Sequence, residues 1–256
     1  MEIFLQGGTW VALLTLTFLE IVLGIDNIVF ISITAGKLPK HQIKRATRIG
    51  LLLAMIFRII LLLGVSFLIA MQDPFFTIDL SWAHAEITGQ SMILFLGGVF
   101  LLYKSTKEIG HKIDHVEETN ATTKKLTSSM SMVITQIVMI DLVFSFDSVL
   151  TAVGMTNGVP GALTIMIIAV VISILIMMLF ATPIGNFVNK NPTVQMLALA
   201  FLILIGFMLI TEGAHLSHAK VFGQHVGAIP KGYLYFAIAF SLGVEALNMR
   251  VRKNKK

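Results

Sequence analysis

The sequence predicts an all-α, polytopic membrane protein with seven transmembrane helices, arranged as a 3+3 inverted repeat plus one further helix. Three observations support this prediction: the composition, the number of long apolar segments, and a pair of similar acidic motifs. Of the 256 residues, 56% are hydrophobic and only 13% are charged, whereas about a quarter of the residues of a soluble domain are charged. The composition therefore excludes an ordinary soluble domain.

Seven apolar segments are candidates for transmembrane helices, which need about 20 mostly apolar residues. They lie at residues 9–34, 49–71, 91–103, 131–153, 162–187, 194–210 and 233–247. The third is short, and we expect it to extend backwards through Ile87. Because these segments leave little sequence for anything else, we predict a single membrane domain over residues 1–256.

The basic residues predict the orientation of the chain. Sixteen of the 19 Lys and Arg residues fall in loops on one side of the predicted membrane. Only Lys220 and Lys231 fall on the other side, and Arg58 lies within the second segment. Cytoplasmic loops are enriched in Lys and Arg, so the N-terminus is predicted outside and the C-terminus in the cytoplasm. The first apolar segment lacks a preceding basic region and is too long for a signal peptide.

A long polar stretch divides the predicted helices into two groups of three. We place repeat 1 at about residues 8–106, a cytoplasmic linker at about 107–128, repeat 2 at about 129–212 and the seventh helix at about 231–249. The first and fourth segments have matching polar patterns when Glu20 is aligned with Asp141. Since three crossings reverse the side of the chain, the second copy is predicted to be inverted, as in many secondary transporters.

The matching pattern consists of two acids six residues apart, with a small polar residue after the second. The two motifs are "LEIVLGIDNIVFI" and "IDLVFSFDSVLTA". Each ionised carboxylate at the centre of a spanning helix costs about 2.5–3.5 kcal/mol, so these side chains need partners. The candidate site residues are Glu20, Asp26, Asn27, Asp141, Asp147 and Ser148.

Helical geometry places part of each motif on one face. Glu20, Gly24 and Asn27 form one stripe, and Asp141, Ser145 and Ser148 repeat its spacing on the fourth segment. The second acid of each motif lies off this stripe, so Glu20 and Asp26 cannot hold the same ion on a straight helix. Either the helices unwind near Gly24 and Ser145, or the two helices cross and complete each other's shell.

The donor atoms favour a hard divalent cation. Carboxylate, amide and hydroxyl oxygens suit Mg²⁺, Ca²⁺ or Mn²⁺. The chain has no cysteine and the two stripes contain no histidine, so Cu(I) and Zn²⁺ are less suited. Intramembrane carboxylates also carry protons in transporters, and metal efflux by proton exchange would use both properties. Alternatively, the acids only bridge helices, with Arg58 paired to one of them.

The two motifs and the late segment "PKGYLYFAIAFSLGVEALN" resemble the TerC family of integral membrane proteins. The resemblance covers essentially the whole chain. It implies a divalent-cation exporter, with Mn²⁺ as the transported ion and the six candidate residues as its ligands. It also implies a multi-pass location in the bacterial inner membrane, and the family is named from tellurite-resistance loci.

Other function classes stay open or are disfavoured. A membrane scaffold or accessory protein of a metal- or tellurite-resistance system is one alternative, and a Ca²⁺ or small-solute transporter is another. No phosphate-binding loop and no nucleophile–base arrangement is evident, so we expect neither ATP-driven transport nor an enzyme, and no organic cofactor.

We expect a divalent metal ion and the lipid bilayer as partners, with a second copy or the secretion machinery as further candidates. Nucleic acid is not expected. An external metal site at Glu212, His215 and His218 is conceivable from their i, i+3 spacing, although an exposed polar loop is the simpler interpretation.

Overall fold

The computed structural model describes residues 7–117, 129–156 and 159–253. Within them the chain forms mostly α-helices, with four short strands. The helices are α1 (Gly7–Ala35), α2 (Lys40–Leu63), α3 (Val65–Ala70), α4 (Gly89–Glu117), α5 (Met130–Thr156), α6 (Ala162–Lys190), α7 (Pro192–Leu216) and α8 (Lys231–Lys253). The strands are β1 (Pro74–Leu80), β2 (Ala83–Thr88), β3 (Lys220–Val221) and β4 (Gln224–His225).

Six of the described helices are long and apolar enough to cross a membrane: α1, α2, α5, α6, α7 and α8. The predicted third span corresponds to α4, which is 29 residues long but begins with polar residues and contains several lysines. It does not reach the same apolar content, so the seventh span stays a prediction. The inverted repeat and the orientation of the termini also stay predictions.

Two features depart from the predicted helices. The second predicted span is divided at Gly64, where α2 ends and α3 begins. The third is longer than predicted, because α4 continues through the first eleven residues of the expected linker. Its inner face there is not solvated: Glu108 is buried, and the Lys112 ammonium donates a hydrogen bond to the Gln195 side-chain oxygen. The rest of the predicted linker, residues 118–128, lies outside the described residues.

The chain divides into two compact units, the first of which falls within Met1–Asp73 and Thr123–Lys190. In this unit α1 packs against α6 and α5, and α2 packs against α5 and α6. Fully buried aliphatic side chains from these helices form its core, among them Ile31, Leu51, Ile137, Ile165 and Ile174.

The second unit falls within Pro74–Thr122 and Asn191–Lys256. Its main contact is between α4 and α7, and α8 packs against α7. A Cβ atom on Gly98 would lie 2.5 Å from the backbone oxygen of Gly206, and one on Gly206 would lie 2.9 Å from that of Gly98. The two helices therefore approach through facing glycines, a common device in membranes.

The second unit also contains an antiparallel sheet with the strand order β1-β2-β3-β4. The all-α prediction missed it. Its strands come from two separate loops, one before α4 and one after α7, and β2 pairs with β3 through Ala83–Val221 and His84–Lys220.

Candidate functional site

Arg58 is the centre of a buried polar cluster in the first unit. It lies on α2 and is only 1% exposed. Its Nη1 donates to a carboxylate oxygen of Glu20 on α1. Its Nη2 donates to Asp141 Oδ1 at 3.1 Å, and its Nε donates to Ser145 Oγ at 2.8 Å. A single guanidinium thus joins α1, α2 and α5.

Asp141 is the most heavily bonded acceptor of this cluster. Asn27 Nδ2 donates to Asp141 Oδ1 at 3.0 Å, and Ser145 Oγ donates to Asp141 Oδ2 at 3.0 Å. Oδ1 therefore accepts from both α1 and α2, and Oδ2 accepts from Ser145 on its own helix. Hydrogen bonds from charged donors are about twice as strong as neutral ones, so Asp141 is firmly positioned.

The two polar stripes meet face to face. Both α1 and α5 are continuous helices through Gly24 and Ser145, so the expected alternative of unwound helices is not observed. The two stripes instead contact each other directly, because Asn27 of one donates a hydrogen bond to Asp141 of the other. Gly24 serves close packing: a Cβ atom there would lie 2.2 Å from the sulfur of Met177 on α6.

The cluster has more acidic than basic groups. Arg58 carries one positive charge, while Glu20 and Asp141 carry two negative charges when both are ionised. All three side chains are removed from solvent. A buried ion pair stabilises a protein only where its hydrogen bonds are well satisfied, and here each member is bonded. The surplus is one acidic group that a proton or a cation would have to balance.

The remaining predicted site residues lie on the same two helices. Asp147 and Ser148 are buried on α5, where Ser148 Oγ donates to the Ser145 backbone oxygen at 3.3 Å. Asp26 lies on α1, and its side chain is outside the described part of the structure. The side-chain oxygen of Asn27 is buried and has no hydrogen-bond partner in that part.

A preformed metal centre is not evident. Among the residues described, no group of three or more His, Cys, Asp or Glu side chains is placed to hold a metal ion. The external site that the sequence left conceivable at Glu212, His215 and His218 does not form such a group among the described residues either. His215 and His218 are exposed at and beyond the end of α7, and Glu212 lies half-buried one turn earlier on that helix.

Sequence reasoning found most of the cluster but not its organisation. Arg58 was considered only as a partner for one acid, whereas it binds two acids and a serine. Ser145 is predicted as a member of the polar stripe and as a point of unwinding, but not as a partner of Arg58. Its place between Asp141 and Ser148 on one helical stripe was the signal that it belongs to the cluster.

The chain resembles known proteins over almost its full length. Residues 5–256 match the profile described as "Integral membrane protein TerC family". The chain is 47% identical over 248 residues to the UPF0053 inner membrane protein YgdQ of Escherichia coli K12, covering 96% of this chain and 95% of that protein. It is 44% identical over 247 residues to a UPF0053 protein of Haemophilus influenzae, covering 96% of each.

A longer relative matches equally well. The UPF0053 inner membrane protein YoaE of Escherichia coli K12 is 44% identical over 255 residues, which make up 99% of this chain but 45% of YoaE. No solved structure matches the chain.

Proposed function

Because this chain belongs to the TerC family of integral membrane proteins, we propose that it is a secondary transporter that exports a divalent cation. It is a multi-pass protein of the bacterial inner membrane, as its six apolar helices and its relatives' names indicate. Mn²⁺ is the ion that we propose as cargo, because oxygen donors of mixed charge suit it and the family resemblance implies it.

One observation carries the proposal: the charge surplus around Arg58. Helix bridging alone would need one acid for one arginine, but here two buried acids share one guanidinium. The neighbouring Asn27 amide is held by its nitrogen and leaves its carbonyl oxygen without a partner among the described residues. Such an oxygen and an unbalanced acid inside membrane spans support the binding of a cation.

We assign different roles to the two acids of each motif. Glu20 and Asp141 are held by Arg58 and organise the crossing of α1, α2 and α5. Asp26 and Asp147 are proposed to carry the ion, with Asn27 and Ser148 supplying neutral oxygens. In this scheme Arg58 holds Glu20 and Asp141 in place while the cargo binds at Asp26 and Asp147. Protons would balance the carboxylates on the return step.

The sheet supports the proposal of seven spans. The pairing of β2 with β3 requires the loop before α4 and the loop after α7 to lie on the same side of the membrane. The chain must therefore cross an even number of times between them. Since α5, α6 and α7 are candidate spans, α4 completes the even number, and α8 becomes the seventh crossing.

The packing within each unit supports the proposed inverted repeat. The repeat would exchange α1 with α5, α2 with α6, and α4 with α7. Under this exchange, the contact between α1 and α6 corresponds to a contact between α5 and α2. Both contacts are present. It also pairs α4 with its own counterpart α7. Transporters of this kind place their sites near the membrane midplane between the repeats.

The test is Mn²⁺ uptake into inside-out vesicles, with and without a pH gradient, by the wild type and by the Asp26→Asn and Asp147→Asn variants. We expect gradient-dependent uptake by the wild type and loss of uptake in both variants at equal membrane abundance. Asp79→Asn is the matched control, because the Asp79 side chain is 80% exposed on β1. It should transport like the wild type.

Two results would contradict the proposal. Full uptake in both variants would remove Asp26 and Asp147 from the transport path. Uptake of Mn²⁺ and Ca²⁺ no greater than in empty vesicles would favour the second candidate, a membrane scaffold in which the Arg58 cluster only holds helices together.

A further inference from the structure

The sheet of the second unit has one apolar and one polar face. Side chains alternate along a strand, and residues paired across an antiparallel ladder share a face. The pairs Phe76–Ile87, Ile78–Ala85 and Leu80–Ala83 therefore lie on one face, to which the pairing of Ala83 adds Val221. Every one of these residues is apolar, and Gln224 at the edge is the polar member of this face.

The paired positions of the opposite face are polar, and Phe75 lies unpaired at the irregularity near the start of β1. It carries the pairs Thr77–Glu86 and Asp79–His84, and the pairing of His84 adds Lys220 and His225. The side chains interact there: His84 Nδ1 lies 3.4 Å from Asp79 Oδ1, and His84 Nε2 lies 3.8 Å from Glu86 Oε1.

The apolar face is not covered by the described chain. Phe76, Leu80 and Val221 are exposed, as is Gln224 at the edge, and the other members of the face are half-buried. If both faces of the sheet were in water, apolar and polar residues would have no reason to alternate along its strands. An amphipathic sheet instead indicates that its apolar face lies against apolar surroundings.

The sheet is fixed directly to the end of a membrane span. Three residues separate α7 from β3, and the Glu86 backbone N–H donates to the backbone oxygen of Ser217, the residue that caps α7, at 2.7 Å. On the other side β2 runs without a break into α4, whose exposed residues Met92, Phe95 and Leu96 continue the apolar surface along the chain. The sheet therefore lies next to the point where α7 would leave the bilayer.

Two turns meet at the far end of the sheet and present aromatic rings. The Phe222 N–H donates to the Trp82 backbone oxygen at 2.8 Å, and the two rings lie 6.2 Å apart. Phe222 and Gly223 both have positive φ, at 51° and 77°, as a two-residue type I′ turn requires. A phenylalanine in this conformation is strained, yet its side chain is 81% exposed.

We propose that the apolar face of this sheet lies on the lipid bilayer, at the level of the head groups beside the end of α7. Trp82 and Phe222 would anchor its far end, because aromatic rings favour the membrane interface. The hydrocarbon core is excluded, since no described strand pairs with the outer edges of β1 and β4, and their backbone groups need water or head groups. The sheet would thus be an interfacial element and not a domain projecting into water.

The chain contains no cysteine, so the proposal is testable with single spin labels on the full-length protein. Leu80→Cys places a label on the apolar face, and Thr77→Cys places a matched label on the polar face of the same strand. Both are reconstituted in vesicles of phosphatidylethanolamine and phosphatidylglycerol. Collision with oxygen, which concentrates in lipid, is compared with collision with a water-soluble nickel chelate.

We expect the oxygen-to-nickel collision ratio to be several-fold higher at Leu80 than at Thr77. Free collision of both labels with the nickel chelate would overturn the proposal, because both faces would then be in water. Protection of the Leu80 label from both reagents would also overturn it and would favour a second copy on this face. Thermal unfolding of both labelled variants at the wild-type temperature shows that the labels have not disturbed the fold.

Discussion

At the scale of single residues, Arg58 explains how two of the acids, Glu20 and Asp141, are tolerated inside the membrane spans. A guanidinium offers five N–H donors in a fixed plane, and Arg58 uses all three of its nitrogens on Glu20, Asp141 and Ser145. Lysine offers one compact ammonium group and cannot reproduce this geometry. The position therefore requires arginine and not merely a positive charge.

The first prediction at this scale concerns stability. Arg58→Gln should lower the free energy of unfolding by about 3–5 kcal/mol, because it leaves two buried carboxylates without their counter-ion. The triple variant Arg58→Gln, Glu20→Gln, Asp141→Asn should regain most of that loss, since it removes the charges together. Thermal unfolding in detergent measures both. A single variant as stable as the wild type would mean that Glu20 and Asp141 do not depend on Arg58.

The sequence predicted the members of the site better than their contacts. The spacing of Glu20 and Asn27, and of Asp141 and Ser145, shows which side chains share a helical face. It does not show how far a neighbouring helix is rotated. Arg58 comes from α2, the third helix of the cluster. Its neighbours along α2 are apolar, so no spacing in the sequence connected it with either acidic motif.

At the scale of elements, the contact of α4 with α7 depends on the absence of side chains at Gly98 and Gly206. Gly98→Ala should destabilise the protein by about 1–3 kcal/mol, the usual cost of overpacking, because its Cβ would meet the Gly206 backbone oxygen at 2.5 Å. Backbone cannot move aside as a flexible side chain can.

Gly110→Ala is the matched control on the same helix. Nothing lies within 4 Å of its Cβ position, so the greater helix propensity of alanine should raise stability by about 0.5–1 kcal/mol. Thermal unfolding of both variants is the measurement. Equal effects of the two substitutions would contradict a close glycine contact between α4 and α7.

The positions of the apolar helices were predictable, but the sheet and the inner part of α4 were not predicted. Long apolar segments have one stable form in lipid, because the helix satisfies every backbone group. The strands are short, and the alternation of Phe76, Ile78 and Leu80 with polar residues was the available signal. In α4, lysines in "YKSTKEIGHK" suggested a solvated linker, although Lys112 is bonded to Gln195.

At the scale of the whole molecule, the proposed topology is open to a direct test. His225→Cys on β4 should react with a membrane-impermeant maleimide in intact cells, because we predict that the loop between α7 and α8 lies outside. Lys40→Cys at the start of α2 should react only after permeabilisation, because basic loops are cytoplasmic. Both positions are exposed, so a missing reaction reports sidedness and not burial. The reverse pattern would invert the predicted orientation.

The Arg58 cluster also bears on how the chain enters the membrane during synthesis. Glu20 and Arg58 are 38 residues apart, so α1 and α2 can insert together as a neutral pair. Asp141 follows Arg58 by 83 residues, which is roughly 4–17 s of translation at about 5–20 residues per second. Its guanidinium partner is then already in place. The order of the chain thus places the guanidinium in the membrane first, and Asp141 arrives as the surplus acid of the cluster.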